Sequence, residues 1–408
     1  MSRPPTARDP YGVGPIGGAV APILSLVGLV IVAIVTIQLL SGGLPFGIGA
    51  GPDNGDGGPD DPTRTPAPSG VVVVPDEATF DGAIVYAKGG NIWIQRDDEV
   101  TQLTDTGGAS MPSWSPDGES VIYVETVQEE TRWAANGGRE QTYILDIPSV
   151  MRIAADGGSE PELIKSGRIE EGRRTFAFWL RNPVLSPDGT TIAVVSDAPD
   201  PAVSPVVLQF IDPETGEMTA ASAAADAILG HQDPEWRLDG QFVAYVRNAR
   251  DGSRGASIIM RYGVENGRTA GITGPGYLQP SYSRDGRWLA ATRTSTLGND
   301  VVIVSGRTGE EVLRVTSDDA SFNPVWSPAG DAIAYLHLSG QTVDLRLAKL
   351  TGEPGAWTVE ETISLTEVSG LDPESGPDWF IPEADLPPLP TPAPSSADPS
   401  GAEEPSPS

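Results

Sequence analysis

The chain has 408 residues, 56 acidic against 26 basic, and a formal net charge of −30, so its surface repels phosphate backbones and nucleic-acid binding is not expected. It has no cysteine, which excludes disulfides, zinc–thiolate sites, thiol catalysis and a lipid anchor on cysteine. The length suits two or three ordinary domains or one large repeat array.

Residues 1–18 contain Arg3 and Arg8 among small, turn-forming residues. Residues 19–40, "AVAPILSLVGLVIVAIVTIQLL", are free of charge. As a helix they would span about 33 Å, enough to cross a bilayer core and longer than the apolar part of a secretory signal. The arginines precede this span and the next charges after it are Asp53 and Asp56, so the positive-inside rule places the N-terminus in the cytoplasm. The expectation is a single-pass protein of the cell membrane with its bulk outside the cytoplasm. Residues 41–78 read as a disordered Gly/Pro/Asp linker. Its Asp53, Asp56, Asp60 and Asp61 lack the ligand spacing of a calcium loop. Residues 382–408 read as a Pro/Ser-rich disordered tail.

Residues 79–381 carry a repeat. "PSWSPDGESVIYV" begins at Pro112, and versions follow from Pro183, Pro234, Pro280 and Pro324. The phrase specifies a β-hairpin, in which Asp closes the turn through its side chain and Gly takes the left-handed conformation. The apolar run after it suits a strand covered on both faces. Spacings of 71, 51, 46 and 44 residues approach the period of four-stranded propeller blades. The shortest unit parses into four strands: "QPSYS", "RWLAATR", "NDVVIVSG" and "EEVLRVTS". A sixth unit is split between the ends of the repeat. "GPDWF" at 376–380 opens it, and "FDGAIVYAKGGNIWIQRDDEVTQLT" from Phe80 supplies the other three strands. Joining them closes the ring without an open sheet edge. The predicted fold is all-β, a six-bladed β-propeller of four-stranded antiparallel blades. The turn glycines Gly118, Gly189, Gly240, Gly286 and Gly330 persist, whereas Leu238 and Arg284 replace the second proline, Ala329 the aspartate and Leu185 the aromatic.

The repeat resembles the WD-like propeller motif of the TolB C-terminal domain and is similar to the propellers of tricorn and prolyl-oligopeptidase-type proteases. That resemblance implies binding of proteins or peptides through the open faces and central channel, at the cell envelope. It implies no cofactor.

Catalysis is not expected. The sequence lacks the Gly-x-Ser-x-Gly elbow of a propeller protease and the His-Glu-x-x-His motif of a zinc protease. Two histidines, His231 and His337, do not make a metal site. His231 precedes an inner strand, either in an ordinary loop or facing the channel; His337 reads as a packed or edge residue. The turn aspartates Asp81, Asp117, Asp188, Asp239 and Asp285 read as structural caps.

The first full unit exceeds the shortest by about 25 residues, including 128–141, with Trp133, and 165–182. The second stretch gathers Lys165, Arg168, Arg173, Arg174 and Arg181 beside Phe176, Phe178 and Trp179, a local inversion of charge in an acidic chain. Arg with Trp is the composition of interface hot spots. The competing assignment packs the aromatics between blades and pairs the arginines with Glu170 and Glu171. The candidate binding residues are therefore Arg168, Arg173, Arg174, Phe176, Trp179, Arg181, Trp133 and His231. They point to a membrane-anchored module binding a protein, peptide or envelope polymer. The alternatives are a ligand sensor working through a membrane partner, and a hydrolase or lyase using channel carboxylates.

Overall fold

The computed structural model describes residues 80–389 apart from 97–98, 134–140, 173, 224, 226–228 and 250–255. The expected span at 19–40, the linker at 41–78 and the tail from 390 lie outside the described residues. Among the described residues, no helix is long and apolar enough to cross a membrane.

Six four-stranded antiparallel sheets form six blades. Blade 1 contains β1 (Ala83–Lys88), β2 (Asn91–Arg96) and β3 (Glu99–Gln102). Blade 2 is β4 (Ala109–Trp114), β5 (Ser120–Trp133), β6 (Gln141–Ala154) and β7 (Glu162–Ser166); a separate hairpin of β8 (Arg168–Glu171) and β9 (Arg174–Ala177) follows. Blade 3 is β10 (Arg181–Leu185), β11 (Ile192–Ser196), β12 (Val207–Ile211) and β13 (Met218–Ala220). Blade 4 is β14 (His231–Trp236), β15 (Phe242–Arg247), β16 (Ile258–Gly263) and β17 (Thr269–Gly271). Blade 5 is β18 (Tyr277–Tyr282), β19 (Trp288–Thr294), β20 (Asn299–Ser305) and β21 (Glu311–Arg314). Blade 6 is β22 (Ser321–Trp326), β23 (Ala332–Ser339), β24 (Thr342–Thr351) and β25 (Thr358–Ser364). The last strand, β26 (Asp378–Phe380), pairs with β1 and completes blade 1, with Ala83 opposite Phe380 and Val85 opposite Asp378. The split sixth unit therefore closes as its sequence indicates.

Second strands such as Ala83–Lys88 and Ile192–Ser196 are buried along their whole length, whereas outer strands such as β13 and β17 are largely exposed. The alternation of side chains directs one face of each sheet to the preceding blade and the other to the next. In blade 2, Val121 and Tyr123 pack against Val85 and Ile94 of blade 1, while Ile122 packs against Ile192 and Val194 of blade 3. Six apolar clusters fill the six seams, including the one joining blade 6 to blade 1 through Leu336, Leu345, Ile84 and Trp379. A lone blade would leave both faces wet, so stability belongs to the stack.

The repeated turns form as their chemistry requires. In blade 2 the Ser115 hydroxyl donates to Asp117 at 2.6 Å, Asp117 accepts the Glu119 amide at 3.0 Å, and Gly118 sits at φ 70°. These bonds hold the Asp117 carboxyl below its ordinary range, the serine bond most strongly. Where Ala329 stands in place of the aspartate, Ser327 donates to Asp331 at 2.8 Å. In blade 4, where Arg237 replaces the serine, its Nε donates to Asp239 at 2.9 Å.

Candidate functional site

The start of each innermost strand lines the channel. Met111, Asn182, Asp233, Gln279 and Asn323 precede the phrase prolines, and all five lie at φ of 50–53°. Proline normally pushes its predecessor to extended backbone, so this ring holds an uncommon conformation. A β-bulge accompanies each, as between Gln232 and Glu235 in blade 4 and between Ser110 and Ser113 in blade 2. The bulges wrap the inner strands around a narrow cavity of about 100 Å³. That volume holds a few waters and is well short of an ordinary ligand pocket.

Polar groups in the wall bond from blade to blade. The Asn182 amide donates to Met111 Sδ at 3.3 Å, the Asn323 amide to Gln279 Oε1 at 3.1 Å, and the Met111 amide to Ser375 Oγ at 3.0 Å. A second tier follows the prolines. Asp378 accepts the Trp114 amide at 2.7 Å, Glu235 the Tyr282 amide at 3.3 Å, and Ser281 the Trp326 amide at 3.0 Å. In each case a side chain accepts the amide of the aromatic residue one blade further on.

Glu235 and Asp378 are the two carboxylates of this tier. Burial pushes Glu235 up to about 8, with repulsion from Asp378 adding to it and the Tyr282 amide opposing it. Burial also raises Asp378, against the amides of Trp114 and Trp379. Of the two, Glu235 is the one whose proton is held toward neutral pH. Among the described residues, no group of three or more His, Asp or Glu side chains is arranged to hold a metal ion.

The other candidate region lies where blade 2 exceeds the rest. β5 and β6 run 14 residues each and pair throughout, from Ser120 opposite Ala154 to Trp133 opposite Gln141. β4 pairs with β5 only as far as Glu125, and β7 with β6 only from Ser149, so the far half of this ribbon extends beyond the blade. The β8–β9 hairpin begins where β7 ends. In an antiparallel blade, the loop between second and third strands and the connection to the next blade emerge on the same face, so both insertions share that face. Arg168 ties them together: its guanidinium makes a two-pronged ion pair with Glu129 on β5, and its Nε donates to Glu170 at 2.9 Å.

The arginine-rich stretch divides between the two assignments weighed from sequence. Phe178 and Leu180 are buried with Ile122 and Ile192 between blades 2 and 3. Phe176 and Trp179 are half-buried; the Trp179 amide donates to Asp197 at 2.6 Å. Arg181 stands over the Trp179 ring at 5.9 Å and pairs with Glu374 at 3.3 Å. Arg174 is exposed. Arg173 and the Trp133 side chain lie outside the described residues. The structure thus brings Arg168, Arg174 and Phe176 together on one hairpin, with Trp179 and Arg181 leading out of it.

His231 is in neither position weighed from sequence. It opens β14, is 2% exposed, packs at a tilt on the Tyr245 ring at 4.6 Å between ring centres, and its Nδ1 accepts the Leu208 amide at 3.0 Å. Four other blades make the same bond with a threonine. The amides of Ile92, Ile259, Val301 and Leu345 donate to the hydroxyls of Thr104, Thr273, Thr316 and Thr366 at 2.8–3.0 Å. Each threonine follows an apolar residue just past its blade's outer strand: Leu103, Ile272, Val315 and Leu365. That apolar–Thr pair is a second repeated signal, overlooked beside the more conspicuous turn phrase. His337 is packed, with Nδ1 3.1 Å from Ser321 Oγ and 3.2 Å from Asp318.

No family model matches the chain. It is 27% identical over 241 residues to a protein of Bacillus subtilis (strain 168) named an uncharacterized peptidase, YuxL; the match covers 58% of this chain but only 30% of that protein. Among solved structures it is similar to a putative TolB from Agrobacterium tumefaciens, with a TM-score of 0.51 and 17% identity, covering 72% of this chain and 93% of that one. TolB from Acinetobacter baumannii gives a TM-score of 0.50 and 20% identity, covering 73% and 66%. Identities this low carry the fold alone: the chain is a TolB-like six-bladed β-propeller.

Proposed function

We propose that this chain is a binding module that recognises a protein partner through the face carrying the two insertions, displayed outside the cytoplasmic membrane on the 41–78 linker by an anchor at 19–40. One observation carries the reading. Blade 2 departs from the repeat by building a projecting ribbon and a braced second hairpin on a single face. Insertions on a rigid scaffold are where recognition is placed. The channel offers less, because its wall groups are used in joining blades. The TolB-like fold and an extracytoplasmic position are compatible with a partner in the cell envelope.

The test is retention of solubilised envelope proteins by the full chain in mild detergent, beside Arg174→Ala and Trp179→Ala variants with unchanged circular dichroism. A protein retained by the parent and lost by the variants supports the reading. If the parent retains nothing, the reading fails.

A second reading is favoured by the Glu235–Asp378 pair: a hydrolase or lyase working from the channel, with Glu235 as the acid. The name of the Bacillus subtilis relative is compatible with it. Turnover of peptides or wall fragments that disappears in Glu235→Gln would establish it.

A further inference from the structure

The ribbon of β5 and β6 has an open edge. In an antiparallel pair, backbone groups point alternately toward the partner strand and away from it. The Ala155 amide bonds to Glu119, so the odd-numbered residues of β5 face β6, and the Thr126 amide points outward, where it meets Gly108 at 2.9 Å. Two residues on, at Gln128 and again at Glu130, the amides and carbonyls point the same way. There β4 has already ended, at Ala109, and no backbone partner meets them among the described residues. Among the described residues, no strand continues beside the second half of β5 the row that β4 occupies beside the first.

The two faces bordering this row differ. One presents Val127, which is 58% exposed, with Glu129 already neutralised by Arg168. The other presents Gln128 and Glu130, with Ile144 and Asp146 behind them on β6, and all four are exposed. Gln128 donates to Asp146 at 2.9 Å and leaves that carboxylate otherwise open to solvent. Among the described residues of this face the carboxylates outweigh the cation Arg132, and the chain's net charge of −30 adds a long-range attraction for basic segments.

We infer that the outward edge of β5 is a docking strand for an extended segment of a partner protein, one that alternates Lys or Arg with Val or Ile. The segment adds antiparallel to β5 in the row left by β4. Its amides and carbonyls take up those of Gln128 and Glu130, its basic side chains face Glu130 and Asp146, and its β-branched side chains cover Val127. Main-chain bonds supply affinity and the alternating side chains specificity, as in other strand additions. An open edge with exposed Val127 and Ile144 also invites self-association, against which Glu130 acts as a charged gatekeeper. This inference rests on the binding reading above and names the partner's chemistry.

The probe is a fluorescent ten-residue peptide alternating Lys and Val, titrated against the full chain in mild detergent at 0.15 M salt. A control peptide carries Glu in place of Lys. Gln128→Pro removes an outward amide while leaving the ladder to β6 intact, since proline is tolerated on an edge strand. Glu130→Lys reverses the charge on an exposed side chain. The expected result is binding of the Lys peptide alone, weakened about tenfold or more by each variant. Loss with Glu130→Lys but none with Gln128→Pro overturns strand addition in favour of charge adsorption. Equal binding by both variants, or of the Glu peptide, overturns it entirely, as does a dimer of the free chain that Gln128→Pro abolishes. An envelope protein retained equally by the parent and both variants leaves the binding reading standing and sinks this one; retention of nothing sinks the binding reading itself.

Discussion

Glu235 and Asp378 stand at the same position of blades 4 and 1, on opposite sides of a six-membered ring, and each accepts the amide of the aromatic residue in the following blade. The arrangement makes two carboxyls structural latches while keeping them close enough to repel, which separates their titration from that of the turn aspartates.

Stability is expected to decline as pH rises from about 5 to about 8. Glu235 is held near 8 in the folded chain against about 4.3 unfolded, so between those values the folded state binds the extra proton and each rise in pH removes stability. Asp378, also raised, acts in the same sense. Asp117, Asp188, Asp239 and Asp285 are lowered, and they withdraw stability only as pH falls below about 4. Urea midpoints taken across this range should peak on the weakly acid side of neutral, and Glu235→Gln should flatten the alkaline limb. A parent profile flat from pH 5 to 8 would contradict the assignment.

His231 and Thr316 do the same work in different blades. Replacing either by a residue without an acceptor, His231→Ala or Thr316→Val, leaves a buried amide unpaired and is expected to cost about 1–3 kcal/mol by chemical denaturation. His231→Ala should cost more, because the ring contact with Tyr245 goes with it.

Turn glycines should rank by surroundings rather than by backbone angle. Gly118 and Gly240 lie at φ 70° and 69°. A methyl group on Gly240 meets nothing within 4 Å, whereas on Gly118 it overlaps the Phe380 ring. Gly240→Ala should cost about 1 kcal/mol, from the left-handed backbone alone. Gly118→Ala should cost clearly more and loosen the closing strand, as hydrogen exchange at Trp379 and Phe380 would report.

The Arg168–Glu129 pair is exposed to solvent screening, so Arg168→Ala should leave the urea midpoint of the whole chain nearly unchanged. Exchange of amides in 168–177 should nevertheless quicken, since the pair is what ties that hairpin to the ribbon. Unchanged exchange would show that β8–β9 is held by Phe178 and its neighbours instead.

Much of this architecture is legible along the chain. The turn phrase states its hairpin because Asp, Gly and the following apolar run act within a dozen residues, and the surplus of blade 2 is visible as a longer interval between phrases. The apolar–Thr signal was equally available at Thr104, Thr273, Thr316 and Thr366. Its meaning was not, because the acceptor reaches an amide 12 to 21 residues earlier, and because a histidine takes the place in blade 3. His231, which the sequence offered as a loop residue or one facing the channel, does in blade 3 what a threonine does elsewhere.

By itself the sequence determined the blade count, the turn chemistry and the closure of the ring, since each repeats as a local pattern whose period follows from strand length. Tertiary structure alone decided which residues face one another. Which side chains turn into the channel wall, as Glu235 and Asp378 do, depends on how each inner strand packs against its neighbouring blades. The bracing of Glu129 by Arg168 arises likewise, from two insertions emerging on one face, and the open edge of β5 exists because β4 stops short. These are facts of geometry between elements, and no spacing along the chain encodes them.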